Sequence, residues 1–196
     1  MGDFDLKQGS FDSEAISRQV DLNSDSLPPV NDWHPELSGD IDIFINRRGE
    51  WFHEGGRFER EALVKLFASI LRCEGKEYFL VTPVEKWRLR VEDAPFVITQ
   101  MELQGDGDGQ RLVFETNLGE RFEVDGQHPL WVEQDAQGEE LTPYVRVRDE
   151  LNALLSRPVY YQLAELAQEA DIDGKNHIGV YSHGQFYSLM TDGAEG

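Results

Sequence analysis

The chain has 196 residues, with 38 acidic and 18 basic side chains, a formal charge of −20 and 39% apolar residues. This length fits one domain or two small ones, and the 11% aromatic content excludes a disordered acidic chain. So negative a surface disfavours nucleic acid and anionic membranes as partners, and the single cysteine excludes an internal disulfide and a multi-cysteine zinc site.

The N-terminal segment, residues 1–32, predicts a flexible acidic tail. It mixes Asp, Ser, Gly and Asn and closes with Pro28-Pro29, which cannot continue a helix. The segment lacks the hydrophobic stretch of a secretory signal, and no apolar run in the chain approaches the ~18 residues of a membrane span. We therefore expect a cytoplasmic protein.

The next segment predicts two strands, a helix and three further strands. Strands are predicted at 41–45 and Trp51–His53, joined by a turn at Gly49. A helix is predicted over 59–72, because apolar side chains recur there on one helical face. Strands follow at 77–82, 86–92 and 95–103. We expect these elements to form an N-terminal α+β half, residues 33–104.

A loop over 104–109 leads to a second half, residues 110–191. Thr142-Pro143 predicts the start of a helix that carries Val147, Leu151, Leu154 and Leu155 on one face and ends at Pro158. The strands of this half are predicted at 111–116, 120–124, 129–132, 159–167, 177–182 and 185–190. Its last hairpin turns at Gly184.

The two halves contain a weak internal repeat. Shifting the sequence by 70 residues aligns FINRRGEWFHEGG at 44–56 with FETNLGERFEVDG at 114–126, and five of 13 columns are identical. Hairpins favour Gly in the turn and aromatic residues beside it, which alone can produce such a match. The similar order of predicted elements in each half favours an internal duplication.

The excess negative charge is unevenly distributed. Residues 91–145 hold thirteen acidic and two basic residues, whereas residues 47–90 hold ten basic and seven acidic ones. Of the 18 basic residues, 13 are Arg, whose planar guanidinium suits carboxylate or phosphate. These arginines either pair with the abundant acids inside the protein or converge on a small anionic ligand.

Motifs for metal binding and nucleophilic catalysis are weak. No two histidines have the helical spacing of a zinc site, and Asp171-Ile-Asp173-Gly174 departs from a calcium loop. Cys73 at the end of the predicted helix fits a small apolar filler, and no Gly-x-Ser-x-Gly motif occurs. What remains are polar residues at strand ends and turns, which serve turn chemistry or orient a small polar ligand.

Several motifs resemble a bacterial family, domain of unknown function 1285. The longest are Val81-Thr82-Pro83-Val84-Glu85-Lys86 and Val91-Glu92-Asp93-Ala94-Pro95-Phe96, joined by Thr116-Asn117, His128-Pro129-Leu130 and Pro143-Tyr144-Val145 with Arg148. The resemblance runs from about residue 28 to 190. Arg57-Phe58 departs from the proline-isoleucine pair usual in the family.

The resemblance implies an α+β fold of two related hairpin-helix-strand halves with mainly antiparallel sheets. It also implies that the C-terminal half is similar to pleckstrin-homology folds and that a pocket lies where the halves join. A nucleotide-like ligand and a signalling role are implied for the family, and the question of a cofactor stays open. Carried over to this chain, the residues expected near that junction are Thr82, Glu85, Asp93, Thr116, Asn117, His128, Tyr144 and Arg148.

Three functions are open at this point. The first is a ligand-binding or sensor module that holds a nucleotide-like anion between its halves, with Arg148 facing the charge. The second is an interaction scaffold whose acidic stretch at 91–145 attracts a basic protein partner. The third, which rests on residue type alone, is a hydrolase with Asp93 and His128 as an acid–base pair.

Overall fold

The computed structural model describes residues 27–134 and 141–191, so the predicted tail lies outside the described residues up to residue 26. The chain divides into two compact units, one ending at Asp93 and the other beginning at Ala94. The sequence predicts the strand at 95–103 as part of the first half. It belongs to the second unit, because its hydrogen-bonded neighbours are strands of that unit.

The described part of the N-terminal unit, residues 27–93, forms a six-stranded mixed sheet, sheet A, and one α-helix. The strand order is β3-β2-β1-β6-β5-β4, and β1 runs parallel to β6. A short 3₁₀ turn at Val30–Asp32 precedes the sheet. The elements are β1 (Leu37–Ile45), β2 (Trp51–His53), β3 (Gly56–Arg57), α1 (Glu61–Ser69), β4 (Leu71–Glu74), β5 (Glu77–Val81) and β6 (Lys86–Val91).

Sheet A has one buried face and one face that carries charge. In β1, Ile43 and Ile45 are fully buried while the alternate residues point to the other side, as the two-residue period of a strand requires. Helix α1 covers the buried face with Phe67, whose ring stacks on Trp51 at 6.4 Å. The core of this unit therefore lies between α1 and one side of the sheet.

The predicted helix over 59–72 is too long. Helix α1 ends at Ser69, and the chain turns at Ile70 into strand β4, which pairs with β5 from Leu71↔Leu80 to Glu74↔Glu77. Ile70 and Leu71 continue the helical spacing of apolar residues, so the pattern alone cannot show where the helix stops. Pairing with β5 decides it.

The C-terminal unit contains sheet B, with the order β10-β11-β12-β7-β8-β9, and the three-stranded sheet C, β13-β14-β15. In sheet B, β7 and β12 run parallel. The elements are β7 (Phe96–Gln104), β8 (Arg111–Thr116), β9 (Arg121–Glu123), β10 (Leu130–Gln134), β11 (Leu141–Arg148), β12 (Leu151–Leu155), α2 (Arg157–Glu165), β13 (Gln168–Ile172), β14 (Lys175–Ser182) and β15 (Gln185–Thr191).

The helix predicted from Thr142-Pro143 to Pro158 is wrong, and so is the strand predicted at 159–167. Residues 141–155 form the hairpin β11–β12, which turns at Asp149 with φ of 46°. In β11 every second residue is buried, so its real period is two. Pro158 lies in the first turn of α2, where a helix tolerates a missing N–H, and therefore begins a helix instead of ending one.

The predicted α+β class with two similar halves is confirmed. Each large sheet consists of two three-stranded meanders, joined by parallel pairing between the first strand of one and the last strand of the other. The helix differs in position, since α1 lies between the meanders of sheet A and α2 follows sheet B. Both halves are mainly antiparallel, as the sequence analysis predicted.

The 70-residue repeat corresponds to two hairpins with the same geometry. Phe44 pairs with Phe52, and Phe114 pairs with Phe122 at the shifted positions. In each turn a glycine has positive φ, 72° at Gly49 and 86° at Gly119. The hairpins are β1–β2 and β8–β9, which hold different places in the strand order. Shared turn chemistry thus explains the repeat, and the common strand order shows the similarity of the halves.

Ser182 ties sheet C to sheet B. Its side chain is fully buried at the end of β14. The hydroxyl donates a hydrogen bond to the Val124 carbonyl at 2.6 Å and accepts one from the Leu112 N–H at 3.1 Å. One oxygen therefore satisfies two buried backbone groups of sheet B that would otherwise lack these partners.

We expect Ser182→Ala to destabilise the C-terminal unit by about 1–3 kcal/mol, because it removes both hydrogen bonds at a buried site. Thermal unfolding and hydrogen exchange at the Leu112 amide measure this effect. Ser69→Ala is the control, since it removes one bond to the Leu66 carbonyl at a partly buried helix position. Equal stability of the two variants would contradict the assigned role of Ser182.

Candidate functional site

The threonines predicted as ligand-binding residues are acceptors within turns. The Thr82 hydroxyl accepts from the Glu85 N–H at 3.0 Å, and the Thr82 N–H donates to the Glu85 carbonyl at 2.8 Å. The Thr116 hydroxyl accepts from the N–H groups of Leu118 and Glu120. Thr82 and Thr116 are both buried. Their hydroxyls close the β5–β6 and β8–β9 turns.

Asn117 extends the ladder of sheet B past the end of β8. Its N–H donates to the Val97 carbonyl at 2.8 Å, and its side-chain oxygen accepts from the Val97 N–H at 3.1 Å. The asparagine side chain thus takes the place of a backbone carbonyl, as is common for this residue at turns. The structure gives Asn117 a role in strand pairing, and its predicted ligand role stays a prediction.

Arg148 lies close to the turn that Thr116 and Asn117 form. Its guanidinium donates to Glu120 and lies 5.1 Å from the ring centre of Phe96. The Arg148 side chain is only 15% exposed, and that of Glu120 is 31% exposed. The structure therefore brings together Thr116, Asn117 and Arg148, but Arg148 has a carboxylate of the same unit as its partner.

His128 and Tyr144 lie on the β9–β10 connection and on β11. The His128 ring stacks on Phe122 at 4.8 Å, and its Nδ1 lies 3.2 Å from the Arg146 carbonyl. The Tyr144 ring stacks on Trp131 at 5.8 Å with an interplanar angle of 20°. Both aromatic rings thus pack against neighbours within sheet B and its connections.

Asp93, the last residue of the N-terminal unit, forms an ion pair of 3.2 Å with Arg47. His128, its partner in the hydrolase hypothesis, belongs to the C-terminal unit. The contacts described for each side chain are structural ones within its own unit. The acid–base pairing of Asp93 with His128 stays a prediction, and so does the ligand role of the eight predicted residues.

Sequence reasoning missed the exposed side of sheet A. This side, here called the charged face, carries Asp40, Asp42 and Phe44 from β1 and Arg88 and Arg90 from β6. The parallel register places Asp40 beside Arg88 and Phe44 beside Arg90. The alternation of polar and apolar residues at 40–45 and 86–91 was a signal for two half-buried strands. It did not show that these strands are neighbours.

Two cavities adjoin on the charged face. One has a volume of about 390 Å³ and is lined by Asp42, Phe44, Asn46, Phe52, Gly55 and Arg90. The other has a volume of about 600 Å³ and is lined by Asp40, Ile41, Asp42, Arg88, Leu89 and Arg90. Asp42 and Arg90 line both. Volumes of this size are typical of small-molecule sites.

The charged side chains of this face form ion pairs between neighbouring strands. Arg90 donates to Asp42 at 3.0 Å, while Arg88 donates to Asp40 at 2.7 Å and to Glu77 at 2.6 Å. The bonds to Glu77 and Asp40 raise the pKa of Arg88. Within the described part of the chain, Arg88 therefore has two carboxylate partners and Arg90 has one, and the Arg90 side chain is 71% exposed.

Within residues 27–134 and 141–191, no group of three His, Cys, Asp or Glu side chains is arranged to hold a metal ion. Neither helix of the described chain combines the length and apolar character that crossing a membrane needs.

Comparison with known proteins identifies the family. Residues 28–94 match the N-terminal domain of the domain of unknown function DUF1285, and residues 95–189 match the DUF1285 C-terminal domain. The chain belongs to the DUF1285 family. The resemblance stated from the sequence motifs is thereby confirmed, and the boundary between the two matched domains coincides with the division between the two compact units.

Two crystal structures of DUF1285 family proteins are similar to the chain. The protein from Silicibacter pomeroyi DSS-3 is 39% identical, with a TM-score of 0.84 over 94% of this chain and 97% of that one. The protein from Shewanella baltica OS155 is 34% identical, with a TM-score of 0.51 over 63% of this chain and 90% of that one. No curated protein matches the chain.

The Arg148–Glu120 pair should contribute to stability. Because Arg148 is mostly buried, we expect a double-mutant cycle of Arg148→Met and Glu120→Gln to show a coupling free energy of about 1–3 kcal/mol in urea unfolding. The control cycle uses Arg121 and Glu102, whose side chains are 51% and 54% exposed. That pair should give at most about 1 kcal/mol. Equal coupling in both cycles would contradict this prediction.

Asp125 should make stability depend on acid. Burial raises the pKa of its carboxyl, but hydrogen bonds from the His128 and Gln127 N–H groups and the nearby imidazoles lower it more. A carboxyl whose pKa is lowered by folding adds to the free energy of unfolding at pH values above its ordinary pKa. This contribution is lost as the pH falls through the lowered pKa. The stability advantage of the wild type over Asp125→Asn should therefore shrink between about pH 5 and about pH 2. A difference independent of pH would refute this.

Proposed function

We propose that the protein is a binding module that holds a small anionic ligand with a planar ring, of the nucleotide kind, on the charged face of sheet A. The observation that carries this proposal is the pair of adjoining cavities that share Arg90 and Asp42. The side chains that line them offer guanidinium, carboxylate, amide and phenyl groups, which bind and orient a ligand. A sensor role, in which ligand occupancy is transmitted to a signalling partner, fits such a module.

Arg90 is the best placed arginine for the ligand's negative charge. It is 71% exposed and pairs with one carboxylate among the described residues, that of Asp42, whereas Arg148 is 15% exposed and paired with Glu120. A guanidinium can form two parallel hydrogen bonds with a phosphate or carboxylate group. The sequence hypothesis that arginines of residues 47–90 converge on an anion therefore applies here to Arg90, with Arg88 beside it in the second cavity.

Phe44 and Phe52 provide the surface for a planar ring. Their ring centres lie 6.2 Å apart, and both rings line the smaller cavity. The Arg90 guanidinium lies 5.6 Å from the Phe44 ring centre. Aromatic and guanidinium planes both stack favourably on heterocyclic rings. A ligand with a ring and an anionic group can thus engage Phe44 and Arg90 together.

A thermal-shift screen of mono-, di- and cyclic nucleotides with the full chain tests the proposal. Ligand at ten times its dissociation constant should stabilise the protein by about 1.4 kcal/mol, or roughly 3–6 °C for a chain of this length. Arg90→Ala should weaken binding about 10- to 100-fold, because a charged hydrogen bond contributes about 1.5–3 kcal/mol.

Arg57→Ala is the matched control. Arg57 is also an exposed arginine of sheet A, paired with Glu50 at 3.2 Å, and it lines neither cavity. Its replacement should leave ligand affinity within about twofold, since exposed pairs contribute little. Absence of any shift at millimolar nucleotide, or equal shifts in the wild type and Arg90→Ala, would overturn the proposed site.

A further inference from the structure

We propose that Asp42 determines which ring the charged face accepts, and that the preferred ring presents two adjacent N–H donors, as guanine does. This inference rests on the proposed function, because it assigns ligand specificity within the same site. It is carried by the polar groups that line the smaller cavity and by the partners that each already has.

Among the described residues, the polar side chains that line the smaller cavity are those of Asp42, Asn46 and Arg90. The Asn46 side chain is occupied by its own turn. Its oxygen accepts from the N–H groups of Arg48 and Glu50, and its amide nitrogen donates to the Glu50 carboxylate at 2.8 Å. Asn46 therefore has little capacity left for a ligand, and recognition falls to Asp42 and Arg90.

Binding of an anion at Arg90 changes the electrostatic environment of the Asp42 carboxylate. Arg90 is its ion-pair partner, and the Asp42 side chain is 58% exposed. A phosphate that takes over hydrogen bonds from Arg90 brings a second negative charge close to the carboxylate, which is unfavourable. A ligand that donates hydrogen bonds to Asp42 removes this penalty. Inorganic phosphate at neutral pH has P–OH groups but no planar edge with two adjacent N–H donors, so it lacks the donor pair that the inference assigns to the ligand.

The neighbouring Arg88–Asp40 ion pair is less suited than Arg90–Asp42 to exchange its partner for a ligand. Arg88 pairs with two carboxylates, Asp40 at 2.7 Å and Glu77 at 2.6 Å. Among the charged side chains described on this face, Arg90 pairs with Asp42. Displacing Arg88 from its partners would leave two carboxylates near the ligand instead of one. The ligand's anion and its donor edge are therefore expected at Arg90 and Asp42.

The chemistry of the bases gives the selectivity. The two oxygens of a carboxylate accept two N–H groups that lie side by side. Guanine presents its ring N1–H next to its exocyclic amine, whereas adenine presents one amine beside an acceptor nitrogen that a carboxylate repels. Sites that pair with a donor discriminate strongly against analogues without it. Phe44 and Phe52 supply the apolar surface on which the ring lies.

Isothermal titration of the full chain with guanosine, adenosine and inosine monophosphate and with inorganic phosphate tests the inference. The wild type should bind guanosine monophosphate at least about tenfold more tightly than adenosine monophosphate. Inosine monophosphate, which lacks the exocyclic amine, should fall between them. This series needs no variant, so it stands whether or not any substitution folds.

Asp42→Asn should abolish the preference for guanine and should bind inorganic phosphate more tightly than the wild type does. Glu77→Gln is the matched control, because Glu77 is a sheet A carboxylate that pairs with an arginine, is 55% exposed against 58% for Asp42, and lines neither cavity. It should retain the preference. Equal affinity of the wild type for guanosine and adenosine monophosphate, or a preference that survives Asp42→Asn, would overturn the inference.

The failure of this inference differs from the failure of the proposed function. Binding of all three nucleotides with equal affinity, lost in Arg90→Ala, refutes the role of Asp42 and leaves the proposed site intact. Absence of nucleotide binding to the wild type refutes both. Loss of the guanine preference in Glu77→Gln as well as in Asp42→Asn assigns the preference to the net charge of this side of the sheet, which also contradicts a specific role for Asp42.

Discussion

Strand β1 has an apolar core on one side and solvent on the other, and this constraint fixes the arrangement of sheet A around it. Its isoleucines at 41, 43 and 45 are buried on the α1 side, so Asp40, Asp42 and Phe44 must point the other way. A carboxylate cannot be moved into the core without a large desolvation cost. A one-residue slip of β1 against β6 would turn its carboxylates toward the core. The register that buries the isoleucines therefore also puts Asp40 and Asp42 on the exposed side of the sheet.

The same logic explains how so acidic a chain accommodates its arginines. Most of those with described contacts have a carboxylate partner from another element, such as Glu120 for Arg148 and Asp42 for Arg90. What distinguishes the pairs is exposure. A pair that is mostly buried, like Arg148–Glu120, stabilises the fold, because separating its partners would leave poorly solvated charges unpaired. An exposed pair like Arg90–Asp42 contributes little to stability and can exchange partners with a ligand.

The polar residues at strand ends that the sequence singled out form hydrogen bonds within the fold. Thr82, Thr116 and Asn117 are buried or partly buried, and their side chains complete the hydrogen bonding of turns and strand ends. Hydroxyl and amide groups that orient a ligand must keep free donors or acceptors, and these groups are largely committed to the backbone. On the charged face the polar atoms face solvent beside cavities, where a ligand can reach them.

The sequence by itself determined the family, the α+β class, the two similar halves and most strands, because these depend on local alternation, turn residues and long motifs. It also located the hairpins at Gly49 and Gly119, since positive φ at such turns favours glycine. Tertiary structure alone decided that 141–155 is a hairpin and that 157–165 is a helix, because aliphatic spacing there suits either form. It alone also made β1 and β6 neighbours, which brings Asp42 and Arg90 together from residues 48 positions apart. Parallel pairing joins strands distant in sequence through a long crossover, and no local pattern encodes that choice.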